Sequence, residues 1–132
     1  MKLAATQPLA ALGLVLLTAS CSNVTSLGGG GSVTELYVQN DTDQVLLVHF
    51  ETQEDAQPAD GMVEAAPGER AYLTEDVAKS PLLPSQIVAT LRVTDIDEST
   101  TLYEAEVDDG LWEASEDNSQ VYSEYVFTVS PG

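Results

Sequence analysis

The chain has 132 residues, enough for one well-packed domain and too few for two. Its 22 Asp and Glu face only four Lys and Arg, a formal net charge of −18. That excludes a nucleic-acid binder, because phosphate contacts need a basic patch that Arg70, Lys79 and Arg92 cannot build. Hydrophobic residues make up 43% of the chain, which excludes a disordered solvating protein and leaves a folded domain with an acidic surface.

In chain order the first element is a short basic start, Met1-Lys2, followed by an apolar run from Leu9 to Leu17 and the small residues Thr18, Ala19 and Ser20. This is the layout of an export signal. Even extended to Ala19, the run spans about a dozen residues, whereas a bilayer-spanning helix needs roughly 20.

Small residues directly before Cys21 resemble the bacterial lipoprotein signal, whose lipobox reads Leu, two small residues and the cysteine that becomes lipidated. Ala19, Ser20 and Cys21 match that pattern; Thr18 stands at the Leu position, with Leu17 one place earlier. The resemblance is confined to the signal and its cysteine. It implies cleavage between Ser20 and Cys21, a thioether from the Cys21 thiol to diacylglycerol, and a fatty acyl chain such as palmitate on the new α-amine. It further implies an exported protein held on the cell membrane by lipid, and on the outer membrane in a Gram-negative cell, given Ser22 after the cysteine. The plainer reading keeps Cys21 as a small residue beside an ordinary signal-peptidase site. On either reading the chain has one cysteine, so no intramolecular disulfide forms.

Residues 21–32 then read as the lipidated cysteine and a Gly/Ser-rich linker, SNVTSLGGGGS. Such a tether has a root-mean-square span of roughly 17 to 20 Å. Its glycines do not make a phosphate loop, because no Lys-Ser/Thr pair opening a helix follows them.

From Val33 the pattern changes to period two, the mark of half-buried strands. VTELYVQN, 33–40, places Leu36 and Val38 on one face and Glu35, Tyr37 and Gln39 on the other. NDTDQ reads as a turn, VLLVHFE as the next strand, and the two strands as a hairpin. MVEAAPGERAYL reads as two extended pieces about Pro67-Gly68, and TEDVAKS, 74–80, as a helical turn capped by Thr74. IVATLRVT, 87–94, puts Ile87, Ala89, Leu91 and Val93 on a core face. TLYEAEV and VYSEYVFTV supply further strands. Short strands at this spacing predict an all-β domain over 33–132, a small antiparallel β-sandwich of immunoglobulin-like or small-barrel form.

Chemistry-bearing residues are few. Asp95, Asp97, Ser99 and Glu106 fall at calcium-loop spacing, but Thr100 stands where that loop requires Gly and the flanks read as strands, so a polar hairpin turn is the competing reading. His49 is the single histidine. With no G-x-S-x-G motif and no further His, it assembles neither a catalytic triad nor a typical zinc site. Trp112, in the stretch DDGLWEASEDNSQ, is either a partner-contact anchor or a lid on one end of the sandwich, and Tyr37, Tyr122 and Tyr125 extend either role.

The expectation is therefore a membrane-anchored envelope lipoprotein whose β-sandwich binds a protein or ligand, with no catalytic residue, metal or cofactor. The alternative is a small envelope enzyme or calcium-dependent binder using the acidic turn at 95–98.

Overall fold

The strict alternation of Ser32, Thr34, Leu36, Val38 and Asn40 with Val33, Glu35, Tyr37 and Gln39 makes the first strand, β1 (Ser32–Asn40), buried on every other residue. The computed structural model describes residues 31–131; the signal segment, Cys21 and most of the linker lie outside them. The remaining elements are β2 (Leu46–Thr52), β3 (Gly61–Ala65), β4 (Arg70–Ala78), α1 (Pro84–Ile87), β5 (Val88–Asp95) and β6 (Thr101–Glu106). A 3-10 turn (Asp109–Leu111), β7 (Trp112–Ala114) and β8 (Tyr122–Val129) complete the domain.

The strands form two four-stranded sheets, β4-β1-β8-β7 and β3-β2-β5-β6, which pack face to face. This is the expected all-β sandwich, and it is not closed into a barrel. All neighbours are antiparallel except β1 and β8, which run parallel in the middle of the first sheet, Val33 against Tyr122 and Asn40 against Val129. The core between the sheets includes Leu36, Val38, Leu46, Val48, Leu91 and Val93, as the alternation of β1, β2 and β5 predicts. Ala89 departs from its assigned core face and is half-buried, because the register slips between Glu51 and Thr52 and brings Val88 inward instead.

Two local expectations are overturned. β1 and β2 do not form a hairpin: the chain crosses at Asp41–Val45 to the opposite sheet. The cause is Asn40, fully buried, whose Nδ2 donates to the carbonyls of Gln44 (2.8 Å) and Ala65 (2.9 Å) while its Oδ1 accepts from the Thr42 amide (2.9 Å) and hydroxyl (2.6 Å). These bonds turn the segment across the sandwich rather than back along β1.

The segment 74–80 is not helical. Thr74 to Ala78 pair with Leu36 to Ser32, so ladder bonds to β1 override local propensity. The helical turn comes later, at α1, where Pro84 supplies a preset φ at the first position and the Gln86 Oε1 accepts from the Leu83 amide at 2.8 Å.

Candidate binding face on the first sheet

Each residue singled out in the sequence has a defined place, except Cys21 and Ser20, which lie outside the described residues. Asp95 ends β5 and caps the β5–β6 turn. Its Oδ1 accepts from the amides of Ser99 (2.8 Å) and Thr100 (3.2 Å), and its Oδ2 from the Ser99 hydroxyl (2.9 Å). The Ser99 hydroxyl bond, followed by these amide bonds, holds the Asp95 carboxyl below its usual range. Glu106 pairs with Thr90, five residues back along β5, which separates it from Asp95 by about 16 Å of strand. The calcium-loop spacing therefore resolves into a polar hairpin turn with Glu98 at φ 59°, and its first and twelfth positions do not converge.

His49 stands on the outer face of the second sheet, half-buried, with Nε2 3.2 Å from Thr94 Oγ1 and 3.7 Å from Glu98 Oε1. The Thr94 hydroxyl also donates to the Asp95 carbonyl at 3.0 Å.

Trp112 is 7% exposed, with its ring 5.4 Å from that of Phe127, which in turn lies 4.9 Å from Tyr103. Of the two readings of Trp112, burial in the core cluster agrees with the lid: the side chain is covered by its own domain.

The main concentration of chemistry-bearing side chains is on the outer face of β4, β1 and β8, and it is carried by pairing register. Glu75, Glu35 and Glu124 stand abreast on these three strands. Like charges directly opposite one another are unfavourable, so something must offset them.

Three tyrosines and one arginine do so. Tyr37 Oη and Tyr122 Oη each donate to Glu35 Oε1 at 2.7 Å, and Tyr72 Oη donates to Glu75 Oε1 at 2.9 Å. Arg70 forms an ion pair with Glu124 and lies over the Tyr37 ring, 4.7 Å from its centroid. Tyr37 and Tyr72 meet edge to face at 5.6 Å.

The hydroxyls are held as donors. The hydrogen bond to Glu35, followed by burial, pushes Tyr37 up to about 12; burial and then the same Glu35 bond push Tyr122 up to about 12. Tyr72 is raised by burial and by its bond to Glu75. The result is an anionic surface with aromatic rings, in which phenol hydroxyls donate to carboxylates and one guanidinium is already seated.

Sequence reasoning set Glu35 and Tyr37 on the outer side of β1 but did not see this face. A signal was present in the short-range repeats Glu35-x-Tyr37, Tyr72-x-x-Glu75 and Tyr122-x-Glu124. Their convergence depends on which strands are neighbours, and no local pattern encodes that.

The fold defines the chain as a small, mostly antiparallel β-sandwich. Compared with described protein families, curated proteins and solved structures, the chain matches none.

Proposed function

We propose that this chain is an exported, lipid-anchored envelope protein whose sandwich acts by binding, through the tyrosine–glutamate–arginine face of its first sheet. The observation that carries the reading is the register of that face, which gathers three glutamates and three tyrosines from three strands onto one outward surface. A partner bearing basic groups complements it, since carboxylates and aromatic rings both attract cations. The export-signal layout, the small residues before Cys21 and the glycine-rich stretch after it support a tethered domain presented at a membrane.

Intact mass of the membrane-extracted protein tests the anchor. A mature chain starting at Cys21 with diacylglycerol and acyl mass supports it; a Cys21→Ser chain of the same expression must lose both the lipid mass and the membrane fraction. A photo-crosslinking residue at position 72 tests the face, with position 101 on the opposite sheet as control. Crosslinks from 72 that vanish in Glu35→Gln/Glu75→Gln support it, and equal crosslinking from both positions refutes it.

A further inference from the structure

A cleft of about 440 Å³ opens at the edge of β4, beside its last residues. Gln53, Asp55, Ala56 and Gln57 of the β2–β3 connection line one side, the end of β4 with Asp76 the other, and Leu82 and Gln86 complete it.

Asp76 points inward and is 6% exposed. Its Oδ1 accepts from the Val77 amide at 2.8 Å, but its Oδ2 has only the Gln57 amide at 3.4 Å. A carboxylate has about four acceptor sites, and a buried one is ordinarily paired or fully hydrogen-bonded. Among the described residues Arg70 forms its ion pair with Glu124 and His49 lies 3.7 Å from Glu98, and neither reaches Asp76. An inward charge on an edge strand does guard against edge-to-edge pairing. That role requires neither an open cleft nor an under-occupied oxygen.

We infer that this cleft binds a primary aliphatic amine, with its ammonium on Asp76 Oδ2 and its methylenes against Ala56, Ala78 and Leu82. An ammonium fits better than a guanidinium. The bidentate fork needs both carboxylate oxygens, and Oδ1 already has a firm partner. An ammonium brings a compact charge and further donors. Gln53 commits its Nε2 to the Ser85 carbonyl at 2.8 Å, which leaves its amide oxygen as an acceptor for one of them. The site depends neither on lipidation nor on the tyrosine face.

The test is a titration of the full chain carrying Cys21→Ser with n-pentylamine, followed by proton–nitrogen correlation spectra in about 0.15 M salt, where the screening length is about 8 Å. Saturable shifts are expected at the Gln57 and Val77 amides and the Gln53 side chain, with n-pentylguanidine binding more weakly. Asp76→Asn weakens binding about tenfold or more, equivalent to one charge-assisted contact, while Asp43→Asn, exposed and outside the cleft, leaves it within about twofold. Shifts that never saturate, that spread over the acidic surface, or that fall equally in both variants overturn the proposal in favour of general counterion attraction. If Asp76→Asn does not fold, Ala56→Lys carries the test by placing a tethered ammonium in the cleft. It abolishes the n-pentylamine shifts if the site is real, and unchanged shifts overturn it.

Discussion

Asn40 Nδ2 donates to the Ala65 carbonyl at 2.9 Å, tying the last residue of β1 in one sheet to the last residue of β3 in the other. The same amide group holds Gln44 and Thr42, so one buried side chain closes the crossover between the sheets. Replacing it with Leu keeps the volume and leaves buried acceptors and a hydroxyl without partners. Asn40→Leu is expected to cost about 3 kcal/mol or more, from several lost bonds at about 1 kcal/mol each plus the desolvation left behind. Urea denaturation checks this; a midpoint within error of the parent refutes the role assigned to Asn40.

Gly61 lies under the Phe50 ring: a Cβ built there stands 2.7 Å from Phe50 Cζ. Gly61→Ala must displace a core ring and should lower stability by about 1–3 kcal/mol. In Phe50→Leu, which removes the obstructing end of the ring, the same change should cost clearly less. Additive losses in the double mutant would place the strain elsewhere.

Trp112 is the only tryptophan, so its fluorescence reports the core directly. The folded emission should be blue-shifted and shift red in a single transition with unfolding. Trp112→Ala should remove about 3–5 kcal/mol and Trp112→Phe clearly less, both measured by circular dichroism melting. An alanine variant with unchanged stability would return Trp112 to the surface role.

The tyrosine face has an alkaline signature. Tyr37 and Tyr122 are raised in the folded state to about 12, so the unfolded chain releases these protons first. Their contribution to stability is complete below about 10, the unfolded value, and is lost as pH climbs from there through about 12. Phenolate absorbance against pH should show two late-titrating tyrosines at least, and Glu35→Gln should bring both down toward the ordinary value. No change in the titration on that substitution would break the network as described.

Asp95 works in the opposite direction. Its folded value is depressed, so its contribution is present above the unfolded carboxylate range and is lost as pH falls through the folded value. Ser99→Ala should flatten the acid limb of the stability curve. Because the Asp95 oxygens are committed within their own turn, millimolar calcium should raise the melting temperature no more than magnesium at equal ionic strength. A calcium-specific rise would restore the acidic turn at 95–98 as a binding site.

The strands, their buried faces and the sandwich were legible because alternation in β1, β2 and β5 is a local property of the chain. What stayed hidden depends on distant residues. Asn40 reads as an ordinary turn residue until Ala65, from another strand, supplies its acceptor. Thr74–Ala78 reads as a helical turn until β1 offers it a ladder. The row of Glu75, Glu35 and Glu124 exists only because β8 lies beside β1, a neighbour relation that spans almost the whole domain. The Asp76 cleft was invisible for the same reason: a segment read as a helical turn gives Asp76 no inward place on a strand until β1 pairs with it.

The parallel pairing of β1 with β8 also sets when the domain can come into being. The middle of the first sheet joins the earliest of the described strands to the latest, so β1 lacks one of its two neighbours until Tyr122–Val129 has arrived. Contacts this far apart in the chain form slowly, because the intervening segment must be gathered first. A partly emerged chain therefore lacks the complete first sheet against which the second, β3-β2-β5-β6, must pack. On the export route proposed above, that order of assembly would postpone completion of the sandwich until the last strand is across.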